Sequence, residues 1–220
     1  GGVTVANDLT IDTDVTIAMD ENNLTVAGDT DINGTVTIST ATLDADGAFD
    51  ATGGFVTFTD DGNLTLDSTV TSLGTLTNVD FGTVTYDGVD QVVFSDDYYS
   101  LTAGGGSGTK TLGGDVTVAN DLTIDTDVTI AMDTHDLTVT NFTDIDGTLA
   151  VAGNTLILDG ESDIDGTITI IDGTVDAEGT FDATGGFITF TDDGNLNLAS
   201  TVISLGLLSD NFGTVIYDGV

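Results

Sequence analysis

The eighteen residues from Val3 to Asp20, VTVANDLTIDTDVTIAMD, recur letter for letter from Val116 to Asp133, 113 positions later. Near-identical tandem copies restrict a fold more than any local propensity does. A repeat unit buries its apolar face against its neighbours, which leads to solenoids, propellers and arrays. The offset of 113 holds through DINGT at Asp31 and DIDGT at Asp144. It then grows to 132, because FDATGGFVTFTDDGNLTLDSTV at Phe49 returns as FDATGGFITFTDDGNLNLASTV at Phe181. The 19 added residues lie near 150–168 (AVAGNTLILDGESDIDGTI) and carry a second DIDGT at Asp163. An insertion that leaves both flanks recognisable is expected to be one structural layer, which sets a coil at about 19–20 residues.

The local pattern agrees. Apolar-Thr-apolar triplets recur as VTV (3–5), LTI (9–11), VTI (15–17), LTV (24–26), VTI (36–38) and LTL (64–66). Each reads as a short strand of period two, with Val3, Val5, Leu9, Ile11, Val15 and Ile17 inward and Thr4, Thr10 and Thr16 outward. The same register is expected at the matching positions of the second copy. Turn formers such as DTD, DADG and TDDGN separate the triplets, and no stretch has a helical period. The expected fold is all-β: a parallel β-solenoid, right-handed in preference to the left-handed form that the six-residue spacing of the first triplets also suits. About eleven coils at ~4.8 Å each make a rod of about 50 Å. Residues 1–89 form the first copy, 90–112 a connecting coil and 113–220 the second copy with its extra coil near 150–168, all in one continuous rod.

Charge narrows the function. The chain of 220 residues has 38 acids, 35 of them Asp, against a single Lys or Arg, and a formal net charge of −37. Along such a rod this is about one charge per 1.4 Å, close to the ~1.7 Å of duplex DNA. With no cations to neutralise phosphate, nucleic acid is excluded as a partner. Anionic membrane surfaces are disfavoured for the same reason, and no apolar run is long enough for membrane insertion. There is no Cys, hence no disulfide or thiolate metal site.

The Asp-rich turns are the candidate site. Ca²⁺ takes six to eight oxygens from carboxylates and carbonyls, and Asp-x-Asp/Asn-Gly is a fragment of several calcium loops. Stacked coils place Asp above Asp, and carboxylates about 5 Å apart repel unless neutralised. The expected ligands are Asp31, Asn33, Asp144, Asp146, Asp163 and Asp165. No complete calcium loop is present; any single turn of this kind also reads as a solvated bend with Gly at positive φ. The outward Thr residues would serve an ice-binding or polysaccharide-binding face, or simply suit a wet strand surface. His135 and Lys110 are each solitary, and His135 replaces Asn22 of the first copy. No catalytic constellation emerges, and the chain is not expected to be an enzyme. Tyr98 and Tyr99 are expected to cap or plug the joint between the copies.

At that joint the stretch YYSLTAGGGSGTKTLGGDVTVANDLTI resembles repeats of very large secreted surface proteins of Bacteroidota and related bacteria, known as β-strand-repeat or adhesin-like proteins. The resemblance is specific over this stretch and otherwise extends only to the strand pattern. It implies a bacterial cell-surface, extracellular setting and an adhesive or matrix role, and it carries no catalytic residues across. The depletion of Lys departs from many such repeats. The expected partners are neighbouring copies of the same repeat or end-to-end self-association, with surface glycans as a further class. The expected function is a structural segment of a long extracellular fibre or adhesin. A face that binds ice or polysaccharide is the alternative, as is a self-assembling filament subunit.

Overall fold

The computed structural model describes residues 1–78, 80–209 and 212–219. Among the described residues the chain is a parallel β-solenoid of 33 short strands with no helix. Every third strand stacks on the same face, so the rod has three faces and 11 coils. The first face is one unbroken 11-stranded sheet from Val3–Val5 to Val202–Ser204. The second and third faces are each interrupted once, between the fourth and fifth coils, into sheets of four and seven strands.

Strands form here because side chains alternate between a dry interior and water. Thr148–Val151 buries Leu149 and Val151 and turns Thr148 and Ala150 outward, and Thr155–Leu158 and Thr167–Ile170 repeat the pattern. Stacking in register then puts like on like: Leu24 lies beside Leu43, Leu43 beside Leu64, and Leu64 beside Val84. Each ladder pairs backbone groups that burial would otherwise leave unsatisfied. The inserted segment is one coil of this kind, since Thr148 pairs with Thr167 and Leu149 with Ile168, a step equal to the insertion.

The expected register holds throughout the second copy. Val116, Val118, Leu122, Ile124, Val128 and Ile130 are all buried. The first copy departs from it, with Val3 58% and Val15 46% exposed. The cause is local stacking. Val128 is covered by Gly108 of the preceding coil, whereas Val15 has no preceding rung and falls in the turn before Thr16–Ala18. The turn itself is the same in both copies. Asp14 and Asp127 take φ of 67° and 68°, a left-handed conformation that Asp tolerates better than most residues.

The two copies do not sit on the same face. Val3–Val5 belongs to the first face and its twin Val116–Val118 to the third, because 17 strands separate them and 17 is not a multiple of three. Beyond the inserted coil the separation is 20 strands, so Phe55–Phe58 lies on the third face and Phe187–Phe190 on the second.

Candidate functional site

Carboxylates run up the outer surface of the first face. Asp144 pairs in register with Asp163, and Asp163 with Asp182, which spaces the side chains by one rung of about 4.8 Å. Asp146 and Asp165 stand just beyond the ends of the same strands. Burial and then Asp146, Asp163, Asp165 and Asp125 hold the Asp144 carboxyl above its ordinary range. Burial, then Asp165, Asp182, Asp146 and Glu161, act in the same way on Asp163.

Lower on the same face a tighter group forms. Asp44, Asp46 and Asp67 each bring a carboxylate oxygen within 4.8 Å of the others. Asp44 is raised by burial, Asp46 and Asp87 against a hydrogen bond from Thr25, and Asp67 by burial, Asp87, Asp44 and Asp46 against Lys110. Asp67 Oδ1 is buried with no hydrogen-bond partner among the described residues. The converging donors are all hard carboxylate oxygens, which suit Ca²⁺ better than a transition metal.

Of the ligands expected from sequence, Asp144, Asp146, Asp163 and Asp165 come together on the first face. Asp31 and Asn33 do not join them. They lie on the second face of the second coil, where Asn33 Nδ2 donates to Asp31 Oδ1 at 3.0 Å and Asp31 pairs with Asp50. The fractional-coil offset between the copies accounts for this separation of equivalent turns. Asp44, Asp46 and Asp67 are absent from the expected set. DADG is visible as a turn, but Asp67 is Ala199 in the second copy, and only the register shows that the coils converge there. Outward Thr residues stack in a single file on the first face, Thr65, Thr85, Thr102 and Thr123, and in two short columns on the third, where Thr16 is followed by Thr35 and Thr37 by Thr57 and Thr77.

A second unusual region lies where two faces lose their ladders. The fifth coil fills its interior with polar side chains. The Tyr86 and Tyr98 hydroxyls are 2.9 Å apart, Phe94 N–H donates to Tyr86 at 2.9 Å, and Tyr98 donates to Phe94 C=O at 2.6 Å. Burial pushes the Tyr86 phenol up to about 12 and raises that of Tyr98 well above its ordinary value. Tyr98 is thus a core residue of the joint. Gln91 Nε2 donates across the interruption to Leu66 C=O at 2.7 Å and Ser68 C=O at 2.8 Å, and Asn78 Nδ2 donates to Asp97 C=O at 3.2 Å. The Leu66 carbonyl also accepts from Asp87 N–H at 2.9 Å, so Gln91 adds a second bond there and supplies the Ser68 carbonyl across the gap.

Lys110 is buried on the next rung, paired in register with Gln91. A cleft of about 600 Å³ opens here, lined by Val70, Asp90, Gln91, Val92 and Thr109 among others. His135 instead lies at the surface, with Nδ1 3.8 Å from Asp115 Oδ1. No family model, curated protein or solved structure matches this chain.

Proposed function

We propose that this chain is a structural segment of a long extracellular fibre or adhesin on a bacterial cell surface, an acidic rod that associates with calcium. The observation that carries this reading is the unbroken 11-stranded parallel sheet with carboxylates stacked along its outer surface. A continuous ladder gives stiffness along the axis, while the stacked acids need a counterion at neutral pH. Neighbouring copies of the repeat and surface glycans are its proposed partners, and the reading assigns the rod no turnover of substrate.

The test is thermal unfolding in metal-free buffer, with millimolar CaCl₂ or with NaCl at equal ionic strength. A ligand of the folded state raises the melting temperature by mass action. Calcium should exceed NaCl clearly, and the double substitution Asp44→Asn with Asp67→Asn should remove part of the gain. Equal effects of the two salts would reduce the carboxylates to a solvated coat. Antibody labelling of intact source cells tests the location.

A further inference from the structure

We propose that Lys110 and Gln91 condense into an intramolecular isopeptide bond, stapling the fifth coil of the rod to the sixth. The sole lysine of a chain with 38 acids is 0% exposed. A surface position would surround its ammonium with carboxylates. In the core, among the described residues, Nζ makes one hydrogen bond, to Gln91 Oε1 at 3.2 Å. A buried ammonium with so little compensation is costly, whereas a buried amide is not.

The partner amide is held for reaction. Gln91 Oε1 also accepts from Gly88 N–H at 2.7 Å, a backbone donor aimed where negative charge develops in a tetrahedral intermediate. Its Nε2 is fixed by the carbonyls of Leu66 and Ser68. The in-register pairing keeps both side chains inward on adjacent rungs. Attack requires reacting atoms about 3–3.5 Å apart, and Nζ already lies 3.2 Å from the oxygen bonded to the target carbon. The flexible stem of lysine allows Nζ to leave the amide plane. Burial also lowers the proton affinity of Lys110, against the opposing pull of Asp87, Asp90 and Asp67, which favours the nucleophilic free amine.

In the reaction the neutral Nζ attacks Cδ of Gln91, forming a C–N bond and placing charge on Oε1. Collapse breaks the Cδ–Nε2 bond. The proton lost from Nζ passes to Nε2, directly or through water in the adjoining cleft, and ammonia departs by the same cleft. One amide replaces another, with no oxidant, reductant or co-reactant. The new amide keeps one N–H for the carbonyls of the fourth coil.

Because Lys110 is the only Lys or Arg, trypsin reports directly on its state. The purified chain, denatured and treated with trypsin, should resist cleavage after residue 110. Its intact mass should be lower than the sequence mass by one ammonia, and a digest with another protease should contain peptides of residues 91 and 110 joined. In Gln91→Ala the free lysine should restore tryptic cleavage, and the assay works whether or not that variant folds. Lys110→Met should have its full sequence mass. Complete tryptic cleavage of the wild-type chain after prolonged incubation in the folded state overturns the proposal. So does an ammonia loss that persists in Lys110→Met, which would point to an Asn such as Asn33 before Gly34.

Discussion

The coils from residue 121 to 177 and the fifth coil, beginning at Thr83, solve the same stacking problem with different materials. The former pair on all three faces and fill their interior with Leu, Ile, Val and Ala together with Met132, Thr143 and Ser162. The fifth coil pairs with the coil before it on one face only, and packs Tyr86, Gln91 and Tyr98 inward with Lys110 above them. Coil length separates the two regions. On the first face the step from Val84 to its partner Leu101 is shorter along the chain than those from Leu122 to Thr143 and from Thr143 to Ser162. The shortened coil pairs with the sixth on all three faces but, among the described residues, with the fourth on only one. Where the ladder gives way, directional side-chain hydrogen bonds take its place. Regular coils therefore draw their stability from contact area, and the seam draws its own from a few specific bonds.

The largest expected effect lies in the regular region. Ile168→Ala removes a fully buried side chain from a core with no slack and should cost about 2–5 kcal/mol in chemical denaturation. A loss below about 1 kcal/mol would mean that these coils are looser than their ladders indicate. At the seam, Gln91→Ala strips the Ser68 carbonyl of its side-chain donor, leaves Leu66 C=O with Asp87 N–H alone and removes the partner of Lys110, and should cost about 2–3 kcal/mol. Tyr98→Phe, which deletes one hydroxyl from the network, should cost about 1 kcal/mol. Equal tolerance of Ile168→Ala and Tyr98→Phe would erase the contrast. Hydrogen exchange sharpens it without mutation: amides of 70–72 and 91–93 should exchange before those of 149–151 and 167–170.

The smallest effect is that of pH, and its sign is unusual. Asp44, Asp67, Asp125, Asp144 and Asp163 all titrate above the ordinary 3.8, with burial the first cause in each. The folded rod therefore binds protons more tightly than the unfolded chain. Its stability is greatest below the ordinary carboxylate value, falls as pH rises through the raised values, and levels off above them. The melting temperature in metal-free buffer should climb as pH is lowered from neutral toward about 4, and calcium should flatten that climb. Acid destabilisation over the same range would contradict the carboxylate stacking.

Much of this fold is legible in the sequence because the residues that form it act locally. The triplets show which side chains face inward, and the inserted segment measures the coil. The seam is opaque for a physical reason. Gln, Lys and Tyr ordinarily read as surface residues, and only the loss of neighbouring ladders makes an inward Gln91 useful. The site is half legible. Asp144 over Asp163 follows from the insertion length, but the convergence of Asp67 on Asp44 and Asp46 depends on register between coils of unequal length. Asp31 falls elsewhere because equivalence in sequence is not equivalence in direction.

Direction carries the last consequence. Phe55 and Phe187 are matching positions, 47% and 45% exposed, yet they look out from neighbouring faces. A chain that carried further units of the same length as the one from Phe55 to Phe187 would turn each successive copy by another third of a revolution. Its decoration would climb the shaft as a spiral stair, with a threefold screw as its symmetry. A flat surface on one side would meet every third copy, while a partner able to wrap around the shaft would meet all of them. The spacing of contacts along the fibre would then be set by the remainder left when the unit is divided into coils, and one added strand per unit would align every copy on a single side.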